Sequence, residues 1–501
     1  MKRDFSVHIA AITLFVTLAI PIQAAAQQYT VKDLGPADDW TGGVNNKSLV
    51  DGTALQPDGT DHAFVWRKGK AIDLGTFGGP NSVAFKKPSE SGLVVGKAET
   101  PNSDPLGEDF CMFGTQLICV PFVWQDGTKT PLPTLGGNNG IAFGVNNRSQ
   151  LAGMAENTTQ NPTCPSANLE AKAVIWEKGK VEELPTYRGD NDSAVISLND
   201  YGQAVGLSGD CISSPNFLRN VLWKNGAAVD LGNLGGTLVN EANNINNLGQ
   251  VVGLSDLPGD ASFHAFLWTE DTGISDLGTL PGDTFSSAHA NNDKGWIVGA
   301  SCTADFDCRA VLWRDGQITD LNTLIPADSP FSLVEAFDIN SRGEILSLGV
   351  TDAEETHDYL AVPSEDPKGD SVASYSNQNR GRVLPERVRQ LLRRNATPLS
   401  RGLARTSAFS DAKVDINNDP SSHQDDLIAK HERESLFALH HGYCSVANDK
   451  LTGSCIASYV WFCMSGKSSA CPYGATALKP KKGTCGVLGS PTVDVARPCS
   501  F

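Results

Sequence analysis

Short apolar runs of period two alternate with polar, glycine-rich punctuation along the chain, and the pattern repeats in register with itself. The run His62-Ala63-Phe64-Val65-Trp66 returns as Pro121-Phe122-Val123-Trp124, Ala173-Val174-Ile175-Trp176 and Asn220-Val221-Leu222-Trp223. It returns twice more, as His264-Ala265-Phe266-Leu267-Trp268 and Arg309-Ala310-Val311-Leu312-Trp313. The Trp anchors stand 58, 52, 47, 45 and 45 residues apart. A second phrase lies between them: Val44-Asn45-Asn46, Val145-Asn146-Asn147, Leu198-Asn199-Asp200, Ile245-Asn246-Asn247, Ala290-Asn291-Asn292 and Ile339-Asn340-Ser341. It leads into apolar runs such as Gln250-Val251-Val252-Gly253, with a worn seventh copy over 91–96. Self-similarity at this period bounds the fold before any single residue does.

One unit parses into four strands. Residues 240–246 predict the first, Asn247-Leu248-Gly249 a turn tolerant of positive φ, and the β-branched run 250–255 the second. Residues 264–268 predict the third. Turns such as Lys178-Gly179, Asn225-Gly226 and Asp315-Gly316 then fold the chain into a fourth, ending in Asp73-Leu74-Gly75, Asp230-Leu231-Gly232 or Asp276-Leu277-Gly278. Four hairpin-joined strands in about 45 residues predict a propeller blade. A parallel β-helix is the rival, but it repeats at shorter periods without this density of hairpins. The ends predict closure: Tyr29 to Gly35 is an isolated fourth strand, while 334–340, 344–350 and 357–362 supply three strands and stop. The expectation is an all-β, seven-bladed propeller closed by the N-terminal strand, followed by a linker and a small disulfide-rich C-terminal module. Blade two departs from the pattern, with 85–91 replacing the Asn-Asn phrase.

The phrases HAFLW, DLGTL, INNLGQVVG and the paired DLGNLGG resemble the HAF family of bacterial extracellular repeat proteins, over roughly residues 29–363. The resemblance implies an exported repeat protein whose biochemical role is generally unassigned. It brings no catalytic residues to carry over.

The N-terminus points the same way. Lys2 and Arg3, an apolar stretch over 9–22 and the small residues Ala24-Ala25-Ala26 predict a secretory signal over 1–26. No later stretch is apolar for long enough to span a bilayer. Expected boundaries are 27–364 for the propeller, 365–435 for a linker with a basic amphipathic helix, and 436–501 for the cysteine-rich module. A secreted or extracytoplasmic location, as a monomer, follows as the expectation.

Twelve cysteines in an exported chain read as disulfides. Six fall in the propeller's irregular connections, where Cys111–Cys119 and Cys302–Cys308 close small loops and Cys164–Cys211 joins neighbouring units. The other six, Cys444, Cys455, Cys463, Cys471, Cys485 and Cys499, make three bridges of open connectivity. His440, His441 and Cys444 lack a zinc-type Cys-x-x-Cys spacing, so no metal is expected.

The formal charge of −17 is unevenly spread: the first 364 residues carry 22 Lys+Arg against 44 Asp+Glu, the remainder 18 against 13. An acidic body excludes non-specific nucleic-acid binding. Within the tail, Arg380 to Arg405 holds eight Arg against one Glu, with Leu384, Val388, Leu391 and Leu392 at helical spacing. Such a helix suits peripheral contact with an anionic envelope surface or with the acidic propeller itself.

The repeated phrases read as scaffold, with Trp as core and His62 and His264 in structural hydrogen bonds. The connections that fail to repeat, over 97–120, 154–172 and 207–219, are where binding belongs. No nucleophile elbow, His-Glu-x-x-His, phosphate loop or calcium loop is present, and no cofactor is implied. The leading expectation is a non-enzymatic binding or surface-interaction protein whose ligand is a polysaccharide or a protein. The alternative is a carbohydrate-active hydrolase or lyase using carboxylates such as Asp190, Asp192 and Asp283, which must lie a few ångström apart to act as a pair.

Overall fold

A computed structural model describes residues 29–37, 41–67, 69–164, 168–212, 219–364 and 383–395, with four short strands after Ser407. The signal segment 1–26 and most of the 365–435 linker lie outside the described residues, as do His440, His441 and all tail cysteines but Cys485. The chain divides into two compact units, Met1–Ser407 and Ala408–Phe501. In the second, Ser445–Ala447 pairs with Lys450–Thr452, and Thr484–Gly486, which carries Cys485, pairs with Ala496–Pro498.

The first unit is a seven-bladed β-propeller of four-stranded antiparallel sheets. Blade five shows the unit at its most regular: Asn240–Ile245, Val251–Asp256, Phe263–Thr269 and Gly273–Asp276, each hydrogen-bonded to the next. Blade seven takes Phe331–Ile339, Ile345–Thr351 and Thr356–Pro363 from the end of the array. Its outermost strand is Tyr29–Pro36, paired from Tyr29 with Pro363 to Pro36 with His357. Closure by the opposite end of the chain leaves no free sheet edge at the joint.

Each repeated phrase has a mechanical reason. The indole N–H of Trp176 donates to Pro133 O at 2.7 Å, that of Trp223 to Pro185 O at 2.7 Å and that of Trp313 to Leu277 O at 3.0 Å. Each Trp thereby fills the gap between blades and ties itself to the preceding blade. The His of the opening phrase bonds the Asp of the closing one within a blade. His62 reaches Asp73 at 2.8 Å, His264 reaches Asp276 at 2.9 Å and, across the closure, His357 reaches Asp33 at 2.9 Å. The Gly of the Val-Val-Gly run is obligatory: a Cβ at Gly253 would overlap the carbonyl oxygen of Glu241 on the neighbouring strand. The first strand is bulged there, between Ala242 and Asn244, and blade three repeats the bulge between Ala142 and Gly144.

The Asn-Asn phrase builds a circle. In blade five the Asn246 side-chain oxygen accepts the N–H groups of Leu248 and Gln250, shaping the first hairpin, and its Nδ2 donates to Asn292 O of blade six at 2.9 Å. The same outward bond runs Asn146 to Asn199, Asn199 to Asn246, Asn292 to Asn340, and Asn340 across the closure to Asn45. Asn45 donates onward to Ser89 O. Blade two has Ser89 at the Asn position, which is its departure from the repeat. The following residue adds a parallel circle, in which Asn147 N–H donates to Asp200, Asp200 N–H to Asn247, and Asn247 N–H to Asp293.

Candidate functional site: the channel and its loop-bearing mouth

Seven first strands line the central channel, and polar side chains cross its waist. Lys86 of blade two donates to Asn243 O of blade five at 2.9 Å, and Ser197 bonds Asn244 at 2.8 Å. His289 Nε2 lies 2.9 Å from a Glu335 carboxylate oxygen, with both residues buried. Asp51 accepts Gly43 N–H and Asp338 accepts Val44 N–H, both at 2.8 Å, holding the short first strand of blade one. Burial raises both carboxyls above their ordinary range. A cavity of about 40 Å³, lined by Lys86, Lys87, His289 and Asp338 among others, remains toward the Asn-turn end. That is room for a few waters.

The other mouth is plugged. Two of the three long connections continue as strand before they turn: Val94–Ser103 pairs with Leu117–Gln125, and Leu151–Asn161 with Asn168–Glu177. Both stretches, expected as loop, are strand over part of their length, and the added pairing lifts their tips clear of the sheet. From the first tip, Phe110, Met112 and Phe113 fold back onto Ile141, Phe143 and Ile196 of the first strands. Lys97 donates to Cys111 O at 2.6 Å, and its ammonium lies 4.9 Å from the Phe113 ring centre.

A helix, α1 (Glu386–Asn395), covers the opposite side. Leu384, Val388, Leu391 and Leu392 are buried against Val334, Leu348, Val350 and the Cys302–Cys308 loop, with Phe285, Phe306 and Phe337 around them. Leu384 N–H donates to Asp307 at 2.7 Å and Arg387 to Glu354 O at 2.9 Å. For the described part of Arg380–Arg405 the apolar face makes the second of the two expected contacts, the one with the propeller itself. The apolar face that would enter a membrane surface is already covered by the acidic propeller, where burial against protein needs no lipid.

Covalent bonds hold these connections. Cys111 pairs with Cys119, Cys164 with Cys211 and Cys302 with Cys308. Asp192 lies within ligand distance of Cys164 and Cys211, but their sulfurs are bonded to each other, and the Asp192 carboxylate accepts N–H groups from Ala171 and Ile212.

The acidic residues singled out in the sequence are each engaged by groups of the protein itself. Asp190 accepts from Ser208 at 2.8 Å and pairs with Arg219, while Asp283 accepts from Ser301 and holds Arg309 at 2.7 Å. Burial raises Asp192 to about 6, and it raises Asp256 to about 6 as well. The carboxylates that do converge were not foreseen. Asn139 Nδ2 lies 2.9 Å from Asp104, 3.2 Å from Glu108 and 3.1 Å from Glu156. Burial first, then Glu108 beside it, pushes Glu156 up to about 9. Burial raises Glu108 as well. Glu156 is 0% and Glu108 6% exposed, so the cluster is closed to a substrate. Asp104, Glu108 and Glu156 lie in the non-repeating connections, where an acid in the sequence does not distinguish solvation from burial. Among the described residues no helix is long and apolar enough to cross a membrane.

No family model matches the chain, and no curated protein does. Solved structures similar to it include TolB from Acinetobacter baumannii, at 11% identity and a TM-score of 0.31. The match covers 63% of this chain and 63% of that TolB, so the chain spans under two thirds of that relative's length. A gluconolactonase from Xanthomonas campestris is similar at 8% identity and a TM-score of 0.34, with 68% of this chain and 92% of that one covered. A TolB from Agrobacterium tumefaciens, described as putative, is similar at 12% identity and a TM-score of 0.31, with 59% and 95% covered.

Proposed function

We propose that this protein is an exported repeat propeller of the HAF kind that works as a rigid binding scaffold through its loop-bearing face. The observation that carries the reading is the state of that face. Its connections are stapled by three disulfides, the channel mouth beneath them is filled by Phe110, Phe113 and α1, and the acidic side chains singled out there are engaged in internal bonds. Disulfides of this density favour an oxidising, extracytoplasmic compartment. A glycoside hydrolase would need two reachable carboxylates, whereas the converging pair Glu108 and Glu156 is sealed from solvent.

A preformed face loses little entropy on binding, which suits recognition of a polysaccharide or an envelope protein. The test is a binding screen of the purified chain against soluble polysaccharides and immobilised envelope proteins, with product analysis of every hit. Binding without new reducing ends or unsaturated sugars is expected. It should weaken in Leu106→Asp, a change at an exposed apolar residue of the blade-two loop. Turnover that a single Asp or Glu substitution abolishes would overturn the reading.

A further inference from the structure

The groove that α1 fills on blades six and seven has a chemistry of its own. Val334, Leu348 and Val350 form an apolar floor, with Phe285, Phe306 and Phe337 around it. Phe285 stacks on Phe306 with ring centres 5.0 Å apart. Two loops that α1 touches edge the groove: residues 303–307, closed by the Cys302–Cys308 bridge, and residues 352–355. They hold Asp305, Asp307, Asp352, Glu354 and Glu355 and no Lys or Arg. Glu355 lies 3.9 Å from His357, and Asp307 accepts Leu384 N–H.

The helix meets this groove with its apolar side chains inward and arginines toward the acidic loops. Arg387 donates to Glu354 O at 2.9 Å and Arg393 to Asp305 O at 3.1 Å. Both acceptors are main-chain carbonyls, so they would take an arginine from any helix that presents one there. The fold does not need α1: seven blades are complete without it, closed by Tyr29–Pro36 on Thr356–Pro363, and it pairs with no strand. Its seam is imperfect as well. Arg389 Nε is buried with no hydrogen-bond partner, and a cavity of about 10 Å³ stays open beside Leu392, Ser287 and Glu335. An unmet donor and a void both weaken a docked surface.

We propose that this groove is a helix-docking site of the loop-bearing face and that α1 is its exchangeable occupant, seated where a basic amphipathic helix of a partner protein binds. The inference rests on the reading of that face as the binding surface. The helix in place states the chemistry of the partner. Apolar side chains at i, i+4, i+7 and i+8 enter among the three Phe rings, and arginines face the loops at 303–307 and 352–355. An acidic helix of the same pattern would meet like charge on both edges. Because α1 belongs to the same chain, it competes at a high effective concentration and keeps the groove closed to weak ligands.

The test is titration of a labelled synthetic peptide of residues 383–395 with the full, disulfide-intact chain and with its Val388→Asp/Leu392→Asp variant, whose α1 is driven out of the groove. The variant should bind the peptide at least about tenfold more tightly than the native chain, and more weakly as salt rises. The same peptide with glutamate in place of its arginines should not bind. Should the variant fail to fold, hydrogen exchange on the native chain decides. The α1 amides should exchange about tenfold or more faster than those of Phe331–Ile339 and Ile345–Thr351, and equal protection would overturn the proposal. Equal affinity of the peptide for both chains, or binding to neither, would overturn it too. So would a native dimer that the variant loses, since that outcome gives the groove to α1 of a second copy. A polysaccharide or envelope protein that binds both chains equally would leave the loop-face reading standing and overturn only the role given to α1.

Discussion

The two ends of the propeller solve the same problem by opposite means. Both must fix connections between strands that have little core of their own. At the turn face the solution is periodic: in every blade but the second, one Asn shapes its hairpin and reaches the next, so the unit that repeats in sequence also repeats in bonding. At the loop face the long connections do not repeat. Each long connection is fixed by its own means: disulfides at 111–119, 164–211 and 302–308, aromatic plugs, a buried carboxyl cluster and a docked helix. Regularity gives a rigid surface whose tips are free to vary, and irregularity gives a shaped one. Each end therefore presents a different kind of surface on one scaffold.

The sharpest way to break the contrast is to remove a covalent staple. Replacing Cys164 and Cys211 by Ala should cost about 2–4 kcal/mol, because the bridge closes a 47-residue separation across two blades. Removing Cys302–Cys308, which closes six residues, should cost less. Denaturant titration of the two double variants ranks them, and equal midpoints would contradict the picture.

The carboxyl cluster makes a prediction of opposite sign. The Glu156 pKa is raised from 4.5 to about 9 in the folded chain. Between those values the unfolded chain surrenders a proton that the folded chain keeps, so stability contributed at low pH is lost as pH rises toward 9. Glu156→Gln keeps a neutral acceptor for Asn139 and should flatten this decline, with a gain of about 2 kcal/mol at pH 8 and almost none at pH 4. Thermal melts across that range decide it.

On the turn face, Asn246→Ala removes the link to blade six and the oxygen that accepts two hairpin N–H groups, and should cost about 1–2 kcal/mol by denaturant titration. The smallest effect runs the other way. Ser89→Asn restores the residue that blade two lacks and should gain about 0.5 kcal/mol by supplying a link toward blade three. A destabilising outcome would show that the blade-two turn differs in more than one residue.

What was legible in the sequence follows this division. Trp176, His264, Gly253 and Asn246 recur because their contacts recur, so one unit explains the others and the blade can be parsed without coordinates. The closure of Tyr29–Pro36 onto blade seven could be counted, since an orphan strand at one end matched a missing strand at the other. The Leu384, Val388, Leu391 and Leu392 spacing announced an amphipathic helix but not what covers it, because periodicity specifies a face and not its partner.

The carboxyls about Asn139 come from two separate connections, and nothing local in Asp104, Glu108 or Glu156 marks them as buried. The exposed pair Tyr201 and Leu248 is split over two repeats and becomes a patch only when the circle sets adjacent turns side by side. The sequence alone determined the blade, the number of blades and the closure, because those depend on local period and hairpin chemistry. Which charges are buried, which mouth is filled and which tips adjoin were decided by the tertiary structure, because burial and proximity are set by contacts between blades.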